Sequence, residues 1–243
     1  MQPTLGRFVS LVNMTAAARI QCLRQVRRVA EDLQQITLMA HVDRAIASDR
    51  TALELDARWR LRNWRGQKLP EFEDLDQHLT VVLSMIHDMA AAHVIGDVVG
   101  DNLRRAAENV LVTIFPDGVE PILSLPYVER LFAVERISDL LVTDLSGDIE
   151  TLGMGRLVLQ MFQIAEKYRA SLPQDEQTRE FARVATAREH GQDRLFEVVA
   201  MILATFAGDE TRSHAEVRTM LLAPLMLEDD AAREHVRRQA TAA

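Results

Sequence analysis

The chain has 243 residues, of which 48% are apolar and 26% charged, with a formal net charge of −8. That balance excludes a disordered chain, and 10 Gly with 7 Pro supply too little turn chemistry for the many short strands of a β-sandwich or barrel. A single cysteine, Cys22, excludes a disulfide framework and any multi-cysteine zinc or iron–sulfur site.

In chain order, apolar spacings of three and four residues dominate, which is the period of a helix with one buried face. Thr15 is a good N-cap, and Ile20, Leu23, Val26, Val29, Leu33 and Ile36 mark the face of a long helix expected to end near Ala47. Pro70, followed by Glu71, Glu73 and Asp74, opens a second helix; its stripe is Leu75, Leu79, Val82/Leu83, Ile86 and Met89/Ala90, and Gly96 closes it. Asp101 is expected to cap a third, which Pro116-Asp117-Gly118 ends. Pro126 to Leu145, Gly155 to Leu172 and Asp175 to Ala207 read as further helices. Ser213 caps a last pair of short helices interrupted by Pro224, and the Arg-rich tail after Glu228 reads as a solvated helix with a frayed end.

The fold class is therefore all-α, one or two up-down helical bundles, with an expected division into residues 1–120 and 121–243. Leu79, Val82, Met85 and Ile86 recur 116 positions later as Leu195, Val198, Met201 and Ile202. An internal duplication of two bundle halves accounts for this. So does chance, since Leu, Val, Met and Ile are what any buried stripe uses.

The segment from Leu53 to Arg65 is the most unusual, holding both tryptophans among four arginines. Read as a helix, Leu53, Ala57, Leu61 and Trp64 form one stripe, and Asp56 pairs with Arg60 one turn on. Read as a lone strand over residues 53–62, it alternates cleanly and would pair with a second copy about Ala57. The helix is preferred. Both readings expect a two-fold interface built from Leu55, Trp59 and Trp64, with Arg58, Arg62 and Arg65 seeking acid. Arginines with interleaved aromatics also suit single-stranded nucleic acid.

Charge argues against that last use. Residues 1–68 hold 12 basic and 6 acidic side chains, and the remainder holds 16 and 30. A basic first segment docking on the chain's own acidic body is a simpler account than one facing an anionic partner, because an acidic chain repels nucleic acid at long range. The strongly apolar run Val198 to Gly208 is about eleven residues, short of the ~20 that span a bilayer, so no membrane partner is expected. The first twenty residues make a poor signal peptide, and a cytoplasmic location is expected.

Two resemblances bear on function. The stretch Asp148-Ile-Glu-Thr-Leu-Gly-Met-Gly-Arg-Leu157 to Tyr168, followed by Ala187-Arg188 and Asp193-Arg194-Leu195-Phe196, resembles uncharacterised bacterial proteins built as paired helical bundles. That implies the fold and no activity. His87-Asp88 resembles the central element of the all-helical HD phosphohydrolases, in which an adjacent His-Asp binds a divalent metal and activates water. The resemblance implies His41 as an upstream ligand and Asp139 or Asp144 downstream. However, Ala90-Ala91 stands where that family carries Gly-Lys, and a polar pair at the edge of a buried stripe explains His87-Asp88 equally.

No Glu precedes a His by three, and His-Glu-x-x-His and phosphate-cradling Gly-x-x-x-x-Gly-Lys patterns are missing. Leu152-Gly-Met-Gly-Arg156 reads as a turn into a helix rather than an anion cradle. The expectation is a non-catalytic helical interaction or assembly protein without cofactor, forming a homo-oligomer, with a dimer favoured, and engaging a protein partner. The alternatives are the metal-dependent phosphohydrolase using His41, His87 and Asp88, and a nucleic-acid- or ligand-binding regulator using Arg58 to Arg65.

Overall fold

A computed structural model describes residues 11, 14–63, 73–95, 100–170, 176–207 and 212–242. Among these the chain forms ten α-helices and no strand, so the all-α reading holds. They are α1 (Ala16–Asp32), α2 (Ile36–Asn63), α3 (Glu73–Ile95), α4 (Asp101–Ile114), α5 (Glu120–Leu123), α6 (Tyr127–Val142), α7 (Ser146–Leu152), α8 (Gly155–Ala170), α9 (Glu176–Thr205) and α10 (Arg212–Ala242).

Two compact units are present. Unit 1 is Met1–Arg62 with Ala182–Ala231, and unit 2 is Asn63–Phe181 with Ala232–Ala243. The division expected near residue 120 falls inside unit 2. Of the four-residue match 116 positions apart, Leu79, Val82 and Ile86 and likewise Leu195, Val198 and Ile202 are buried, as residues of a core stripe should be.

In unit 1, α1 begins where expected: Thr15 Oγ1 accepts from the Ala18 amide at 3.2 Å. It does not run on to Ala47. Leu33–Gln35 turn the chain, with Gln34 in the left-handed region at φ 55°. The Gln35 amide closes on the Ala30 carbonyl at 2.8 Å, satisfying an end carbonyl of α1. The apolar core joins Leu23, Val26 and Ala30 of α1, Val42 and Ala45 of α2, Val198 and Ile202 of α9, and Leu221, Leu222 and Leu225 of α10.

This core contains an ion pair. Arg19 and Asp49 are 4% and 0% exposed, and Arg19 Nη2 lies 2.5 Å from Asp49 Oδ1. Arg19 also donates to the Met14 carbonyl at 2.7 Å and to Gln192 Oε1 at 3.2 Å. Asp49 Oδ2 has no hydrogen-bond partner among the described residues, and burial pushes the Asp49 carboxyl up while Arg19 opposes that rise. Gly191 makes the arrangement sterically possible. A Cβ there would stand 2.2 Å from Asp49 Oδ1 and 2.8 Å from Arg19 Nη2.

α2 corrects two expectations. Residues 53–62 are helical, so the lone-strand alternative falls. The buried face is Ala52, Leu55, Asp56 and Trp59, the central two half-buried, whereas Leu53, Ala57 and Leu61 are exposed. The face continues the stripe Val42, Ala45/Ile46, Asp49 and Ala52 at spacings of three and four. Two aspartates interrupt that stripe in the sequence, and each is tolerated because an arginine meets it: Asp49 has Arg19, and Asp56 has Arg188 and Arg60. Putting Trp59 inside removes more apolar surface from water than burying Leu53 and Leu61 would offset, given the size of the indole.

In unit 2, α4 lies deepest; Ala106 to Phe115 are buried except for half-buried Asn109. It packs on α3 and α7, while α8 packs on α3 and α6. Asp101 is its first helical residue rather than its cap, a position occupied by Gly100, though its charge still suits the first turn. Gly153 ends α7 in the left-handed conformation at φ 67°, Met154 is buried, and α8 starts at Gly155. The Gly-Met-Gly sequence is thus the turn expected there.

The C-terminal region departs from its expectation. α10 is one helix through Pro224, not a short pair. Its last turns are not merely solvated: Val236 and Ala240 are buried, and Arg237 grips buried Glu108 with two bonds of 2.8 and 2.9 Å. Arg233 donates to Asn109 Oδ1 at 3.0 Å. The Arg-rich composition there reflects partners on α4 that no local pattern signals.

Candidate functional site

A groove on unit 2 runs between α3 and α8. α3 buries Leu79, Val82, Leu83, Ile86 and Ala90, and α8 buries Leu157, Val158, Met161, Ile164 and Ala165. Above this packed seam lies a cavity of about 610 Å³. Leu75, Val81, Val82, Met85, Leu157 and Ile164 form its apolar lining; Gln77, His78, Arg156, Gln160, Gln163 and Lys167 form its polar rim. No carboxylate is among them, although unit 2 carries 21 acidic against 13 basic residues.

One end of the groove is anchored by a polar cluster. Tyr168 donates a short hydrogen bond to Asp76, and Arg130 Nη1 sits 2.7 Å from the same Asp76 oxygen. Tyr127 stacks on Tyr168 at 5.5 Å between centroids. Burial and the charge of Asp76 push both phenols up, Tyr127 to about 12, and Arg130 partly opposes this. Both tyrosines therefore stay neutral donors at physiological pH, which suits positioning rather than acid–base chemistry.

α3 and α8 leave large apolar side chains in solvent: Val81 is 57% exposed, Met85 46%, Met89 37% and Leu159 64%. Isolated exposed apolar residues are ordinary, whereas Val81, Met85 and Met89 follow one another along one side of α3. α3 is also the one described helix long and apolar enough to cross a membrane. Leu79, Val82, Leu83, Ile86 and Ala90 of this helix are buried within unit 2.

The residues singled out from sequence are dispersed. His87 Nδ1 lies 2.9 Å from its neighbour Asp88, and the His87 ring meets Phe115 edge-on at 5.4 Å. His41, in unit 1, bonds Arg44 at 2.9 Å. No group of three or more His, Cys, Asp or Glu side chains placed to hold a metal ion occurs among the described residues. Trp59 is 1% exposed within the single chain, so it fills interior space instead of offering an interface anchor. Arg58 is exposed and Leu55 half-buried; Trp64, Arg65 and the Arg62 side chain lie outside the described residues.

Two shallow grooves on unit 1, of about 370 and 350 Å³, share Ala187 and His190. Arg44, Arg183 and Arg194 line them along with Ser48, Thr51 and Thr186. Arg194 is occupied by Glu197 at 2.6 Å, and Ser48 approaches His190 at 3.4 Å. Sequence reading missed the α3/α8 face. The stripe was visible, but which apolar residues flank it in solvent depends on the partner helix. No protein-family model matches the chain, and neither does any curated protein or solved structure at a significant level.

Proposed function

We propose that the protein is a non-catalytic helical-bundle interaction or assembly protein, working in the cytoplasm as a homo-oligomer, by preference a dimer, and without a cofactor. The exposed apolar face of α3 and α8 carries this reading. Val81 and Met85 line a groove whose rim is amide and basic, and Met89 and Leu159 are exposed on the same two helices, which is the composition of a surface that receives another helix. Methionine suits such a surface because its flexible thioether adapts to what it meets. Nucleic acid fits poorly, since unit 2 is acidic overall, and the half-buried His87 set against Phe115 supports packing more than metal chemistry. Sedimentation of the purified chain tests the reading: a mass that is a multiple of 27.4 kDa is expected. A monomer at every concentration that binds no protein refutes it.

A further inference from the structure

Resting on the reading of the chain as a homo-oligomer, we infer that two copies pair antiparallel along the outer face of α2 in unit 1, about a two-fold axis at Ala57. This is the face turned away from buried Trp59. Leu53, Ala57 and Leu61 follow one another at i, i+4 and i+8, one stripe of the helix, and all three are exposed, Leu61 at 83%. Glu54 and Arg58 border the stripe, exposed and without an ion-pair partner among the described residues.

Around Ala57 the apolar pattern is symmetric and the charge pattern is reversed. Leu53 and Leu61 lie four residues to either side; Glu54 lies three before and Arg60 three after; Asp56 lies one before and Arg58 one after. In an antiparallel pair, each residue before the axis stands level with the residue equally far beyond it in the other copy. Leucine then meets leucine, and each acid arrives at the level of an arginine. Ala57 meets its own counterpart, and its small side chain lets the two helices approach. A parallel pair in register would instead set Glu54 against Glu54 and Arg58 against Arg58. Every contact of the antiparallel pair is reciprocal, as an isologous dimer requires.

Position around the helix keeps these charges within reach of one another. At about 3.6 residues per turn, Glu54 and Arg58 stand on one flank of the stripe and Asp56 and Arg60 on the other. The two-fold axis brings each flank onto the same flank of the other copy. Glu54 therefore lies beside the other copy's Arg58, and Arg60 beside the other copy's Asp56, each contact formed twice. Like charges stand farther off: the two Glu54 side chains are separated by ~9 Å along the helices, and each Arg58 has the other copy's Glu54 nearer than its own counterpart. Asp56 is held in place by Arg188, while Arg60, 70% exposed, reaches it at 3.2 Å and is free to span both copies. Arg50 lies beyond the apolar part of the stripe, with Glu54 one turn on.

Sedimentation velocity up to the highest soluble concentration decides it, on the full chain and on Glu54→Arg, Arg58→Glu, the double reversal and Leu61→Glu, with far-UV dichroism confirming that each stays helical. The seam is shorter than a standard interface, so the wild type is expected to dimerise weakly. Either single reversal should raise the dimer dissociation constant by about tenfold through like-charge contact. The double reversal should restore most of the affinity, and an equimolar mixture of the two single variants should form a heterodimer. Leu61→Glu should give a monomer. Ala57→Cys should cross-link into a covalent dimer under mild oxidation, whereas the wild type, whose one cysteine is buried, should not. If the wild type dimerises while the reversals leave it unchanged or Ala57→Cys fails to cross-link, the copies pair elsewhere; this inference falls and the assembly reading stands. If the wild type is monomeric throughout, the inference falls, and the assembly reading survives only if another protein binds.

Discussion

Each unit centres part of its structure on an aspartate held by an arginine, and the two do opposite jobs. In unit 1, Asp49 and Arg19 are 0% and 4% exposed, and one carboxylate oxygen goes unpartnered among the described residues. In unit 2, Asp76 and Arg130 are 37% and 15% exposed, and a tyrosine completes the set. A pair taken wholly out of water costs several kcal/mol of desolvation per ion before its attraction returns anything, so it is weak evidence of net stability but severe to break. A half-exposed pair costs little to form and little to lose. Unit 1 therefore depends on the geometry of three converging side chains, whereas unit 2 uses the same residue types as an adjustable edge to its groove.

The contrast has consequences of graded size. The largest follows from leaving one charge of unit 1 buried alone: Arg19→Ala or Asp49→Ala should destabilise by ~3–5 kcal/mol in urea unfolding followed by dichroism. A loss under about 1 kcal/mol would equate the pair with a surface one. Next comes Gly191→Ala. Alanine gains up to ~1 kcal/mol in helix propensity, yet the added Cβ meets Asp49 and Arg19, and overpacking of ~1–3 kcal/mol or more should prevail. A stabilised variant would show that the pair can relax away from α9.

In unit 2, Tyr168→Phe should cost only ~1 kcal/mol, the usual net worth of one hydrogen bond, because water can reach Asp76. An effect as large as that of Asp49→Ala would make the two clusters alike. The smallest effect concerns Cys22, whose thiol burial pushes up to about 11. It should react with a disulfide reagent at neutral pH far more slowly in the folded chain than in urea. Because the folded value lies above the ordinary 9.0, folding holds the proton more tightly; stability is unaffected below about pH 9 and falls as pH rises from 9 toward 11. Equal reactivity in both states would mean that α1 opens readily around Cys22.

How much of this the sequence disclosed depends on whether a signal was local. Helix content, Thr15 as a cap, the Gly153 turn and the stripe of α3 follow from spacing and end chemistry and were all readable. The face of α2 was not. Asp49 and Asp56 look like solvent positions until Arg19 and Arg188 are known to reach them from far along the chain. The same holds for the last turns of α10, where Arg237 and Glu108 are 129 residues apart. The candidate site was half legible: the α3 stripe was visible, while the exposed Val81, Met85 and Met89 beside it gain meaning only once α8 is in place.

Unit 1 is assembled from two stretches with the whole of 63–181 between them. During synthesis, Arg19 emerges early and Gln192, its partner 173 residues on, emerges late. At roughly 5–20 residues per second, that is a wait on the order of ten seconds or more. Throughout it, α1 and α2 carry an apolar face with no α9 or α10 to cover it, and Asp56 lacks Arg188. Most of unit 2 is contiguous and has its core helices in hand well before then. Unit 2 should accordingly acquire protection from hydrogen exchange first on the ribosome. The first sixty residues would be the part of the nascent chain that most needs a chaperone.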